Sequence, residues 1–245
     1  MAMNLPESLI TALKGAQSVT ALTGAGISAE SGVPTFRDAQ AGLWSRYDPQ
    51  ALATAEGFAA NPKLVWEWYA WRRNLVAKAQ PNRGHVALAQ LQDYYANCTL
   101  ITQNVDGLHD RVGSRNVIEL HGNITRTRCF VEGIPATEWD DSEEIPPRCP
   151  RCGAWLRPDV VWFGEELPRS ALAEAELAAQ TCDVFFSIGT SAQVYPAAGL
   201  AALAKAGGAI VVEINPEETP LTPLANHSLR GMAGDILPRI VSALK

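Results

Sequence analysis

A surplus of positive charge is the first thing this sequence lacks. Its 20 lysines and arginines are outnumbered by 26 aspartates and glutamates, for a net charge of −6 and a pI near 5.3. Without a basic footprint, nucleic acid and anionic membrane surfaces are not expected partners, and any anion must be met by local dipoles or single cations. There is no run of about 18 uncharged apolar residues, so no membrane span is expected. The opening Met1-Ala2-Met3-Asn4-Leu5-Pro6-Glu7 has no basic stretch leading into an apolar one. That is unlike a signal peptide, and the expected location is the cytoplasm. Cysteine is sparse and odd in number, at five, with two in a Cys-x-x-Cys. Such usage suggests reduced thiols and a metal site rather than a disulfide framework. Internal repeats and low-complexity tracts are also missing.

What is present suits an α/β fold. Hydrophobic residues make up 47% of 245, enough for a substantial core within one cooperative unit. Short, continuous apolar runs at 18–23, 98–102, 116–120, 183–188 and 209–214 predict parallel strands covered on both faces. Helical patterns at 6–15, 84–95, 171–180, 196–206 and 235–244 lie between or beside them, with Asp235 the expected N-cap of the last. Strand, helix, strand in succession indicates a doubly wound, Rossmann-like parallel sheet. Two stretches break the rhythm. Residues 36–80 lack a clear strand but hold a long helix opening at Asn61-Pro62, and 125–165 are rich in Pro, Gly, Cys and charge. The expected division is a larger domain from 1–35, 81–124 and 166–245, with a smaller one, part zinc-ribbon-like, from 36–80 and 125–165.

Directly after the first strand comes Gly24-Ala25-Gly26-Ile27-Ser28-Ala29-Glu30-Ser31-Gly32. Two glycines spaced by one residue let a backbone turn sharply and approach a pyrophosphate, but the third comes later than the dinucleotide fingerprint requires. Taken alone, the segment reads equally well as a tight strand-to-helix turn. It continues through Val33-Pro34-Thr35-Phe36-Arg37-Asp38, and further blocks follow: Thr102-Gln103-Asn104-Val105-Asp106-Gly107-Leu108-His109, Glu119-Leu120-His121-Gly122, Gly189-Thr190-Ser191 and Asn215-Pro216. Together, in this order, they resemble the sirtuin family over nearly the whole chain.

The resemblance implies an NAD-dependent protein-lysine deacylase. In that chemistry the bond between nicotinamide and ribose breaks, the acyl-lysine oxygen captures the ribose carbon, and the acyl group ends on ADP-ribose. NAD would be the co-substrate and acylated lysine side chains of proteins the partners. By resemblance, Asn104 and Asp106 hold the nicotinamide carboxamide, Gln103 contacts the nearby ribose and Val105 lies between them. Gly24, Ala25, Gly26, Ser28, Phe36, Arg37, Gly189, Thr190, Ser191, Asn215 and Pro216 are the other expected NAD contacts. An amide and a carboxylate can satisfy both the donors and the acceptor of a carboxamide. The same Gln-Asn-x-Asp is also a plain polar turn, since Asn and Asp favour turns. His121, at the end of an apolar strand, is the expected general base, with a reference pKa near 6.5 suited to taking a ribose hydroxyl proton. His85, His109 and His227 are read as structural. Rival readings are a mono-ADP-ribosyltransferase on the same scaffold and a non-catalytic NAD or ADP-ribose sensor.

Within Val65-Trp66-Glu67-Trp68-Tyr69-Ala70-Trp71-Arg72-Arg73-Asn74-Leu75, a projection at roughly 100° per residue gathers Leu64, Val65, Trp68, Trp71, Leu75 and Val76 on one arc. Arg72 falls inside it, Tyr69 at its edge, and Arg73 off it in solvent. A guanidinium aimed into an apolar face needs an anion or hydrogen-bond partner. An internal carboxylate would serve, as would snorkelling to solvent. Tyr69-x-x-Arg72 also resembles the sirtuin subclass that takes succinyl- or malonyl-lysine, in which the arginine grips the distal carboxylate and the tyrosine assists. There Ala53 would leave the pocket wide.

Cys149-Pro150-Arg151-Cys152 reads as half of a zinc knuckle. Cys129 fits the start of the partner pair in the family pattern, but Glu132 stands where its second cysteine belongs. Cys129, Cys149 and Cys152 are the expected metal ligands, with Glu132 or water as fourth; a ribbon held by packing alone is the alternative. Cys98 and Cys182 are read as buried, inert thiols.

Overall fold

The computed structural model describes residues 5–34, 48–139 and 144–245. Six parallel strands form the larger sheet: β1 (Ser18–Thr23), β2 (Asn97–Thr102), β3 (Val117–Glu119), β7 (Val184–Ile188), β8 (Ile210–Asn215) and β9 (His227–Arg230), in the order β3-β2-β1-β7-β8-β9. Their apolar runs serve two faces. Val19, Ala21, Val184, Phe186, Val212 and Ile214 meet α1 (Glu7–Gly15), α6 (Arg83–Tyr94) and α10 (Ala233–Leu244), while Leu22, Ile101, Phe185 and Val211 meet α8 (Arg169–Thr181) and α9 (Leu200–Ala206). Burial on both sides explains the unbroken rather than alternating pattern.

The strand ends are level. Thr23 pairs in register with Thr102 on one side and Ile188 on the other. From central β1 the chain winds outward to β2 and β3, then returns to β7 and winds the other way. The β1/β7 boundary is thus a topological switch point, where open α/β sheets bind ligands beyond the strands' carboxyl ends.

A second, antiparallel sheet, β5-β4-β6, is built from β4 (Gly122–Cys129), β5 (Pro135–Ala136) and β6 (Leu156–Val160). It packs with α3 (Pro49–Leu52), α4 (Ala55–Ala60) and α5 (Pro62–Lys78). The Asn61 side chain caps α5 by accepting from Leu64 N–H at 3.1 Å, and Pro62 opens it. Three of these strands lie inside 125–165 or run into it, where the sequence shows little periodicity. β4 is bulged between Asn123 and Thr127, which spoils its alternation.

Two expectations are corrected. Asp235 does not cap α10: it sits in the first turn, and Gly234 N–H donates instead to the Glu30 carboxylate at 2.8 Å, a partner 204 residues away. Arg73 is not solvated. The bulge leaves β4 carbonyls unpaired by the sheet, and Arg73 donates to Ile124 O (2.6 Å), Arg126 O (3.0 Å) and Thr127 Oγ1 (3.0 Å). The one-arc projection failed because α5 buries two faces: Val65, Trp68 and Tyr69 meet one cluster, and Trp66 packs with Cys129, Cys149 and Leu156 on the other. Among the described residues no helix is long and apolar enough to cross a membrane.

Candidate active site

At the switch point the loop after β1 and the loop after β7 press backbone against backbone. Gly24 N–H donates to Ile188 O at 2.9 Å and Gly26 N–H to Gly189 O at 2.8 Å. A Cβ on Gly24 would stand 2.8 Å from Gly189 O, and one on Gly26 2.7 Å from Gly189 Cα. Gly189 itself has φ +59, and a Cβ there would come within 2.5 Å of Ile27 N. These glycines are therefore required by packing as well as by any ligand. Between them Ala25 opens the five-residue α2 (Ala25–Ala29), which carries the buried Ser28. Phe36 and Arg37 lie outside the described residues.

Polar groups from four neighbouring strand ends are linked around this contact. Gln103 Nε2 donates to Thr190 Oγ1 (3.1 Å), and Asn215 Nδ2 donates to Thr190 O (3.1 Å). Ser191 and Pro216 are exposed beside them. Asn104 is buried, and both its N–H donors are engaged, with Gly24 O (3.0 Å) and Ser28 Oγ (3.1 Å). Its side-chain carbonyl is left as an acceptor. Asp106, also buried, accepts from Leu108 N–H at 2.9 Å. Burial raises its pKa; the Leu108 bond, the Ser28 hydroxyl and the charges of Arg72 and Arg111 pull it back. Val105 O accepts from Ile124 N–H at 2.8 Å, tying this loop to β4.

His121 has its tautomer fixed by geometry. Its Nδ1 lies 2.9 Å from Gln103 O, and a carbonyl only accepts, so Nδ1 carries the hydrogen. The neutral ring then keeps its lone pair on Nε2. Burial lowers its pKa, partly offset by the Gln103 bond, so the neutral, base-competent form dominates at neutral pH. His85 and His109 are buried in the structure, with ring centroids 4.9 Å apart. His85 Nδ1 accepts from Asn82 N–H at 3.3 Å, which puts the hydrogen on Nε2, 3.5 Å from Ser28 Oγ. His227 begins β9.

Tyr69 and Arg72 come together as their spacing predicts. Tyr69 is buried; Arg72 lies 5.7 Å from its ring centroid and 4.9 Å from that of Trp68. Burial lowers the Arg72 pKa, opposed by Tyr69 and by the negative charge of Asp106. Ala53 is buried in the same cluster, and its carbonyl accepts from Phe163 N–H at 2.9 Å. Sequence reasoning missed Trp162, whose indole N–H donates to the Tyr69 hydroxyl at 2.9 Å. A lone tryptophan after a strand carries no spacing signal. It also missed Glu213, a buried carboxylate near the end of β8, held by Arg230 (2.8 Å) and Thr222 (2.7 Å).

The cysteine cluster is two matching knuckles. In Cys129-x-x-Glu132-Gly133 and Cys149-x-x-Cys152-Gly153 each glycine has positive φ (+68 and +73) and donates its N–H to the first cysteine's carbonyl (3.0 and 2.9 Å). Glu132 thus occupies the place that Cys152 holds in the other turn. One ligand atom from each of Cys129, Glu132, Cys149 and Cys152 lies within 4.8 Å of the others. Tetrahedral zinc with thiolates spaces its ligands by about 3.8 Å. The four residues could hold structural zinc. Cys98 is only partly buried, but its surroundings push its pKa up to about 12, and burial raises that of Cys182. Both thiols are poor nucleophiles.

Comparison with known proteins agrees with this geometry. The Sir2 family profile matches residues 24–196. An NAD-dependent protein deacylase of Aquifex aeolicus is 52% identical over 93% of this chain and 95% of its own length. One of Methylococcus capsulatus is 49% identical over 99% and 98%. Among solved structures, a Sir2 homologue–NAD complex superposes with a TM-score of 0.91 at 47% identity, covering 99% of this chain and 95% of that one. Sir2 bound to acetylated peptide gives 0.88 at 30% identity, covering 98% of each. The strand-end site, the paired sheets and the near full-length identity leave one conclusion: this chain belongs to the Sir2, or sirtuin, family.

Proposed function

We propose that this chain is an NAD-dependent protein-lysine deacylase whose acyl pocket favours succinyl and malonyl groups over acetyl. The deacylase activity is what its relatives are named for, and the donor set at the strand ends fits NAD. When bound, NAD supplies a ribose carbon activated by its nicotinamide leaving group, and an ADP-ribose that carries the acyl group away. Asn104 offers its carbonyl, and Asp106 its carboxylate, to the carboxamide end. Gln103 stands beside the ribose. The glycine loop from Gly24 to Ser28, with Phe36 and Arg37, and Gly189, Thr190, Ser191, Asn215 and Pro216 hold the phosphates and the adenosine end. His121, with Nδ1 tied to Gln103 O, receives a ribose hydroxyl proton at Nε2. Cys129, Cys149 and Cys152, with Glu132, hold zinc that staples the small sheet and take no part in the chemistry.

The acyl preference rests on one observation: the Arg72 guanidinium lies against the Trp68 and Tyr69 rings, beside a cluster that includes Trp162 and Ala53. A planar guanidinium matches a carboxylate bidentately, and an acetyl group offers it no such partner. Part of the Arg72 charge is balanced by Asp106, which lowers the cost of keeping the arginine there before substrate arrives. Arg72→Met should cut kcat/KM for a succinyl-lysine peptide by roughly a hundredfold while acetyl-lysine turnover falls far less, since a charged hydrogen-bonded pair is worth about 2–3 kcal/mol. A variant that keeps full desuccinylase activity would remove the assignment.

A further inference from the structure

Trp162 adds a directional constraint to that pocket. Trp162 is 2% exposed, and its Nε1 lies 2.9 Å from the Tyr69 hydroxyl oxygen. An indole N–H has no lone pair to offer, so it donates and Tyr69 accepts. The Tyr69 oxygen therefore receives the indole hydrogen, and its own must go to an acceptor elsewhere.

The indole is held so that this sense cannot reverse. The Trp162 backbone N–H donates to Glu165 Oε2 at 2.8 Å. Arg157 lies 3.3 Å over the Trp162 ring centroid and also hydrogen-bonds Glu165, at 3.0 Å from Nη2 to Oε2. Phe58 packs against the ring at 5.3 Å, centroid to centroid. Backbone, face and edge are all occupied, and the N–H stays on Tyr69.

We propose that Trp162 is a specificity-determining positioning residue: by donating to Tyr69 it turns the tyrosine O–H toward the acyl chain, so that the pocket presents only donors and selects acyl groups ending in a carboxylate. This inference rests on the acidic-acyl reading of the pocket and adds the element that sets the tyrosine's hydrogen-bond sense. An acyl tip that is itself a donor, such as a primary amide nitrogen, would find nothing there to accept it.

The test is kcat/KM for one peptide carrying succinyl- or acetyl-lysine, measured for the wild type, Trp162→Phe, Tyr69→Phe and the double variant. Trp162→Phe keeps an aromatic ring and removes the N–H. It should lower the succinyl value roughly tenfold, chiefly through KM, and the acetyl value less than about threefold. Tyr69→Phe should do the same, and the double variant should be no worse than Tyr69→Phe alone, because both remove one bonded unit. Equal losses for both acyl groups would reduce Trp162 to packing and overturn the proposal, as would losses that multiply in the double variant. If Trp162→Phe does not fold, Tyr69→Phe decides alone: a succinyl-to-acetyl ratio unmoved by loss of the hydroxyl overturns it. A wild type with no acidic preference overturns the reading beneath as well, whereas a wild-type preference that survives Trp162→Phe overturns this inference only.

Discussion

Acid should destabilise this protein well before its carboxylates protonate, because two imidazoles are buried under the glycine loop. Burial lowers the pKa of His85 to about 4 and, with His85 as a neighbouring charge, that of His109 to about 3. In the unfolded chain both titrate near 6.5. Because the folded values are the lower ones, the unfolded state binds protons first as pH falls. The stability from keeping both rings neutral is complete above pH 6.5, and it is lost progressively from there down toward pH 4 and 3. Going from pH 7 to pH 5, each ring should cost about 2 kcal/mol, and the pair about 4, a large share of a stability of roughly 5–15 kcal/mol. The local contacts supply the reason. A proton on His85 Nδ1 would displace the Asn82 N–H and break the capping box of α6, and a proton on His109 would leave an N–H without an acceptor, since its Nδ1 has no partner among the described residues. Urea unfolding followed by tryptophan fluorescence at pH 7 and pH 5 measures the difference. His109→Gln, which cannot titrate, should lose only about half as much over the same interval. A wild type that loses less than about 1 kcal/mol would refute the argument.

Two further predictions follow from the small sheet. Arg73→Ala should destabilise the protein by about 2–3 kcal/mol in the same assay, because it strands the Ile124 and Arg126 carbonyls at the β4 bulge; an effect within 0.5 kcal/mol, as for a solvated arginine, would contradict that contact. Zinc content after dialysis against increasing chelator should rank Glu132→Cys above wild type and wild type above Glu132→Ala, since a thiolate binds zinc better than a carboxylate and alanine supplies no donor. Equal retention by wild type and Glu132→Ala would exclude Glu132 from the site.

What the sequence disclosed depended on how local the signal was. The β1 run at 18–23 matches its strand to the residue, because a strand buried on both faces writes its length directly as apolar residues. Asn61-Pro62 marked α5 because capping needs only neighbours in the chain. The small sheet was not legible: β4 carries a bulge, β5 has two residues, and the knuckles rest on glycines whose positive φ no periodicity reports. Long-range substitutions for local rules were equally hidden. Glu30 does the capping that Asp235 was expected to do, and α5 has a second buried face that draws Arg73 inward. At the site, the polar residues announced themselves through motif blocks, whereas Trp162 and the His85–His109 pair are defined only by side chains distant in sequence. Glu132 is an intermediate case, since its position in the chain was suspicious but only the matching turn geometry puts its carboxylate among the cysteine thiols.

An acidic acyl pocket on a sirtuin scaffold has a direct kinetic signature. It is NAD-dependent turnover of a single peptide bearing acetyl-, succinyl- or malonyl-lysine, compared as kcat/KM with nicotinamide and acylated ADP-ribose both followed. Acylated ADP-ribose should form from all active substrates, with a preference of at least about tenfold for the succinyl or malonyl peptide. Turnover confined to acetyl-lysine would contradict the pocket assignment and leave the deacylase standing, and labelled ADP-ribose fixed covalently to protein, with no acylated product, would contradict both.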